Sequence, residues 1–134
     1  GAPVGSLLIG NKNFIKEARR IRKVLGGGMR QAGFLAAAGI YALDNHVERL
    51  KEDHKKAKKL EAVLNNNPHI GMVLPVETNI IVFKLKDNMN HQSFINKLNQ
   101  NRILYQFVSA DAIRFVTHLD ITDEMMEKTL ACLK

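Results

Sequence analysis

Residues 32 to 43 read Ala-Gly-Phe-Leu-Ala-Ala-Ala-Gly-Ile-Tyr-Ala-Leu, and no side of that stretch is polar. A surface helix of a globular protein carries an apolar stripe and a polar back; a helix that is apolar all round is a buried one. The alanines and glycines let a second helix approach closely. Burial needs cover on every side, and nothing else in the 134 residues reads as a partner for all of it. The stretch is expected to pack against polypeptide beyond these residues or against another subunit.

What precedes it is a break. Gly26, Gly27 and Gly28 interrupt a helical pattern, with Lys23 just before them and Arg30 just after. Glycine costs about 1 kcal/mol against alanine inside a helix, so a run of them ends one. Two readings stay open: a C-cap followed by an interhelix loop, or a glycine turn whose N–H groups and flanking cations cradle an anion.

Around this break the chain divides in character. Val4 to Gly10 is a short apolar run bounded by glycines and reads as a buried strand. A lone strand needs sheet neighbours, and the pattern offers no other until residue 79, so the chain is expected to begin inside a larger domain. Asn13 is the expected N-cap of a helix over 14–24, with Phe14, Ala18, Ile21 and Leu25 on one stripe. His46 to Asn65 reads as a longer helix, with Leu50, Ala57, Leu60 and Leu64 inside and lysines outside. Pro68 turns the backbone before it away from the helical region, which sets a domain boundary between residues 65 and 66. Beyond it come a strand over 79–85, a helix over 91–100 capped by Asn90, strands over 103–108 and 113–118, and a final helix starting at Asp120 or Thr122. The order β-α-β-β-α predicts a small α+β domain, an antiparallel sheet with helices on one face.

Composition narrows the function classes. No apolar run is long enough to span a bilayer, and the N-terminus lacks a signal-peptide pattern. One cysteine, Cys132, excludes an internal disulfide and suits a reducing compartment, hence a cytoplasmic protein. Histidines and the single cysteine make no metal-binding spacing, so no metal is expected. The net charge of +7 is concentrated in the first 60 residues, which carry +8. That asymmetry suits a solvated helix face, an anionic ligand or nucleic acid.

Arg114 is the informative residue of the second half. It sits in Ile113-Arg114-Phe115-Val116-Thr117-His118, inside a predicted strand otherwise apolar or β-branched. Alternation puts Arg114, Val116 and His118 on one face and Ile113, Phe115 and Thr117 on the other. Such an arginine is either solvated or a bidentate carboxylate clamp, for which the planar guanidinium is well shaped.

Three separated motifs then share one likeness. The run Arg22-Lys23-Val24-Leu25-Gly26-Gly27-Gly28-Met29-Arg30-Gln31, continuing through Ala36-Ala37-Ala38-Gly39-Ile40-Tyr41-Ala42-Leu43, closely resembles the pyridoxal-phosphate-dependent threonine aldolases. The opening Gly1-Ala2-Pro3-Val4-Gly5-Ser6 and the closing Arg114-Phe115-Val116-Thr117-His118-Leu119-Asp120 are similar to segments in corresponding places of that family. The resemblance implies a fold-type-I, α/β transferase-like fragment: residues 1–65 ending the large cofactor-binding domain and 66–134 forming the small one. It implies cleavage of L-threonine or L-allo-threonine to glycine and acetaldehyde, with pyridoxal 5'-phosphate as cofactor. By the same resemblance Lys23, Arg30, Gly27 and Gly28 contact the cofactor phosphate, and Arg114 holds the substrate α-carboxylate. The Schiff-base lysine is expected just upstream of Gly1, so this chain holds no catalytic residue and is expected to be inactive by itself. Implied partners are the amino-acid substrate, the missing N-terminal part of the enzyme, and further copies in a homo-oligomer, a tetramer in the family; neither nucleic acid nor a membrane is expected. The alternatives are another fold-type-I enzyme, such as an aminotransferase or a serine hydroxymethyltransferase-like protein, and a basic helical module for nucleic acid.

Overall fold

The computed structural model describes residue 2, residues 5–86 and residues 91–134. By packing the chain forms two compact units, Gly1–Glu48 and Arg49–Lys134.

The first unit is helical. Helix α1 spans Lys12–Val24 and is capped by Asn11, whose side-chain oxygen accepts from the Phe14 N–H at 3.0 Å. The cap is therefore Asn11 and not Asn13. Phe14, Ala18, Ile21 and Leu25 line one open groove of about 480 Å³ together with Leu8. Helix α2 spans Gly33–Asn45, where the all-apolar stretch predicts a helix, and none of its residues is buried. Phe34 is 82% exposed and Ile40 60%. The cover this helix calls for does not come from the described residues. The expected strand over 4–10 is corrected too: residues 5–10 have no regular structure, and Val4 lies outside the described residues. A strand needs a partner for its backbone groups, and no strand occurs among the described residues of this unit.

The second unit holds helix α3 (Leu50–Asn66), strands β1 (Ile70–Val73) and β2 (Ile80–Leu85), helix α4 (His91–Gln100), strands β3 (Gln106–Phe107) and β4 (Ala112–Val116), and helix α5 (Asp123–Leu133). The sheet is antiparallel throughout, in the order β1-β2-β4-β3. One face carries Ile81, Phe83, Leu85, Ile113, Phe115 and Thr117, all buried, against Leu60 and Leu64 of α3, Leu98 of α4 and Leu133 of α5. Phe83 anchors this layer, its ring 5.1 Å from that of Phe115 and 6.1 Å from that of Phe94. Ile80 and Val116, on the opposite face, stay exposed. The small α+β layer with helices on one face thus forms, with one strand more than expected.

That added strand is β1. Its glycine hides it in the sequence, yet Gly71 has a packing reason: a Cβ there would stand 3.3 Å from the Leu85 carbonyl oxygen, where the ladder bulges. The strand expected over 103–108 shortens to Gln106–Phe107. Thr122 caps α5, its hydroxyl accepting from the Met125 N–H at 3.2 Å. The Asn90 cap expected for α4 lies outside the described residues. Helix α3 starts at Leu50 rather than His46, because residues 46–49 form a turn in which the His46 N–H closes α2 on the Ala42 carbonyl. Its Asp53 is buried, bound twice by Arg49 at 3.1 and 3.3 Å, while the Thr117 hydroxyl donates to the Asp53 carbonyl at 2.8 Å. Packing therefore divides the chain after Glu48, where the Asn-Pro break at residues 67–68 suggests a division after α3. Cys132 is buried in the core.

Candidate functional site

The glycine loop is built by the end of α1. The Gly26 N–H donates to the Lys23 carbonyl at 3.0 Å and the Gly27 N–H to the Arg22 carbonyl at 2.7 Å, with Gly26 at φ 83°. This is a Schellman cap, two bonds that satisfy carbonyls left over at a helix end, with a left-handed residue that glycine adopts without a Cβ penalty. The cap reading is thus realised at Gly26. It has a consequence for the anion reading: the N–H of Gly27 is already committed to a carbonyl. Gly28 is different. A Cβ built on it would stand 2.6 Å from the Lys23 Nζ, so the lysine folds back over a backbone that only glycine keeps bare.

Lys23 and Gly28 are therefore brought together. Arg30 follows in the turn before α2, next to Gln31 at φ 51°. Lys23 and Arg30 are exposed, the first in the last turn of α1 and the second in the connection that leads to α2. A dianionic phosphate suits such a donor set, since charge-assisted bonds to it are the strong ones. The residues that fit it are Lys23, Arg30 and the bare backbone at Gly28.

Arg114 belongs to the second unit. On β4 it is half-buried, on the face opposite Ile113 and Phe115, as alternation predicts. It stands across from Val82 on β2 and Gln106 on β3. One of its Nη2 hydrogens is donated to the Gln106 Oε1, and its Nε is buried with no hydrogen-bond partner. Neither the glycine loop nor Arg114 provides a nucleophile, and no group of metal-ligating side chains occurs among the described residues.

Two pairs on this sheet are not among the sequence-derived candidates. Gln106 is one; the signal that could find it is hairpin register, since a strand pair folded around the turn at 108–111 sets it opposite Arg114. The other is Lys84 with Asp111, joined at 2.6 Å, where the Ser109 hydroxyl also donates to Asp111 at 2.7 Å. The hydrogen bond from Lys84, then that from Ser109, hold the Asp111 carboxyl down to about 2 from its ordinary 3.8. Its charge is matched by Lys84 and not by Arg114.

The sequence pattern of the beta-eliminating lyase family matches residues 1–88. Across its full length the chain is 41% identical to Low-specificity L-threonine aldolase 1 of Arabidopsis thaliana. Across 98% of it, it is 40% identical to Low specificity L-threonine aldolase of Escherichia coli K12. The chain spans 38% of the length of each of these relatives. Among solved structures it is similar to the cystine C-S lyase C-DES in complex with its reaction product cysteine persulfide, with a TM-score of 0.57 and 24% identity over 76% of this chain and 28% of that one. It is also similar to the ornithine aminotransferase from Toxoplasma gondii, with a TM-score of 0.54 and 18% identity over 74% of this chain and 24% of that one. At those identities the structural likeness speaks for fold alone, and the fold is that of fold-type-I pyridoxal-phosphate enzymes. With the family pattern covering residues 1–88, well over half of its length, the chain belongs to the beta-eliminating lyase family.

Proposed function

We propose that this chain is the C-terminal portion of a low-specificity L-threonine aldolase, cleaving L-threonine or L-allo-threonine to glycine and acetaldehyde. The observation that carries the reading is the identity of 40–41% over 98–100% of the chain to proteins of that name. Residues 1–65 end the large domain and 66–134 form the small one, and α3, the last helix of the first, packs its Ala57, Leu60 and Leu64 against the core of the second. The polypeptide that precedes these residues, together with further copies of the protein, covers the apolar sides of α2. The setting is cytoplasmic, in keeping with a buried, unpaired thiol at Cys132.

The residues divide the work by the charge of what they hold. Lys23 and Arg30, with the bare backbone of Gly28, hold the cofactor phosphate; Gly27 shapes the loop through its bond to the Arg22 carbonyl. Arg114 takes the substrate α-carboxylate through its two-pronged guanidinium. Pyridoxal phosphate, when bound, supplies the electron sink for breaking the Cα–Cβ bond. Fixing the substrate carboxylate at Arg114 is a contribution of orientation. No residue of the chain takes the Schiff-base role, so the 134 residues alone are expected to release no acetaldehyde.

The test is threonine cleavage by the full-length protein that contains this chain. Acetaldehyde release with glycine as co-product supports the reading; transamination without retro-aldol cleavage overturns it. In that enzyme Arg114→Ala is expected to lower kcat/KM for threonine about a hundredfold or more, the value of losing a bidentate charged pair at roughly 1.5–3 kcal/mol per bond.

A further inference from the structure

The open face of the sheet carries an arginine whose partner is a neutral amide. Arg114 has no salt bridge among the described residues, while the carboxylate at the hairpin turn, Asp111, is engaged by Lys84 and Ser109. What holds Arg114 is neutral: the Oε1 of Gln106, directly opposite it on the edge strand β3. The Nε is buried and unpartnered, so a ligand meets the Nη groups. An amide oxygen accepts one N–H and fixes the guanidinium plane without cancelling its charge. A carboxylate in the same place would accept the same bond and cancel it.

We propose that Gln106 is a positioning residue for substrate binding: from β3 it orients the Arg114 guanidinium, as a neutral acceptor, toward an amino-acid carboxylate. The proposal rests on Arg114 as the carboxylate-binding residue. Gln106 touches no reacting atom and acts through Arg114. Its cross-strand pairing makes the orientation cheap, because both backbones are already fixed by the ladder and only two side chains need ordering. Val82, across from Arg114 on the other side, offers no competing acceptor on its side chain.

The chemistry separates this role from a structural one. Gln106→Glu keeps shape and acceptor and would hold β3 to β4 at least as well as glutamine does. As a positioning residue it should fail, because the ion pair formed with Arg114 competes with substrate. Gln106→Met keeps length and loses the acceptor. In the full-length enzyme Gln106→Met is expected to raise KM for L-threonine severalfold, and Gln106→Glu to raise it by about tenfold or more, the scale of one charge-assisted bond. In both the larger share of the loss falls in KM rather than kcat. In an Arg114→Lys background, Gln106→Met should cost little further, since the residue it orients has gone.

Glycine affinity, measured by calorimetry on the same proteins, reads carboxylate binding without turnover. The expected order of Kd is wild type, then Met, then Glu. A Glu variant that binds glycine and threonine as wild type does overturns the proposal, as does a Met variant indistinguishable from wild type or a loss confined to kcat. A full-length protein that binds glycine in the expected order yet cleaves no threonine removes the aldolase reading and leaves Gln106 in its role. One that binds no amino acid removes both. Gln106 is exposed on a short edge strand, and thermal melting of each variant shows whether the fold is kept.

Discussion

Gly26 and Gly28 stand two residues apart and are glycine for different reasons. Gly26 needs a left-handed backbone, at φ 83°, and has nothing near where a Cβ would be. Gly28 needs space, because its Cβ position lies against the end of the Lys23 side chain. Substitution therefore separates them. Gly26→Ala should destabilise the protein by about 1–2 kcal/mol, the cost of a left-handed alanine, seen as a lower denaturation midpoint. Gly28→Ala should leave that midpoint nearly in place, because the lysine end is flexible. It should instead push the Nζ away and weaken pyridoxal-phosphate affinity of the full-length enzyme about tenfold, the value of one charged bond. The sequence shows three equal glycines; only φ and distance tell cap from cradle. Arg114 was more legible, since alternation alone assigns it to the open face.

Among the elements, the β3–β4 hairpin carries the clearest electrostatic signature. Asp111 is held down to about 2, by the Lys84 hydrogen bond first and then by that from Ser109. A carboxyl whose folded value is depressed stabilises the fold when ionised. Its contribution is complete above the ordinary 3.8 and is lost as pH falls through about 2. Thermal midpoints taken between pH 5 and pH 2 should fall more steeply for the wild-type chain than for Asp111→Asn, and the two curves should run parallel above pH 5. Elements with strong local signals were readable in advance: α4 has the bounds its pattern predicts, and Thr122 caps α5. Those that depend on partners were not. Residues 5–10 are apolar enough for a strand, but no strand occurs among the described residues of their unit, and β1 is hidden by Gly71, whose reason is a carbonyl on another strand.

At the scale of the whole molecule, the two units differ in what they finish. The second has a closed core, to which α3 gives Ala57, Leu60 and Leu64. Residues 49–134 are accordingly expected to fold by themselves with a cooperative thermal transition, and residues 66–134 to fail, having lost one helix of the core. Dichroism at increasing temperature distinguishes them. The Asn-Pro break marks where α3 stops, and a local stop signal carries no information about which neighbour a helix serves. The fold class was legible because the pattern from residue 79 onward changes from helical to alternating; the cover for α2 was legible only as a need.

Length is the property that the turn between Phe107 and Ala112 must guard. Surface hairpin turns ordinarily accept extra residues. Here the Val108 N–H closes on the Ala112 carbonyl at 2.9 Å, and the count of residues between sets Gln106 across from Arg114. One residue more or fewer, if taken up by sliding the strands, turns Gln106 to the helix-packed face. The turn is thus a ruler: in descendants of this chain its letters can drift, while insertions and deletions should be rare.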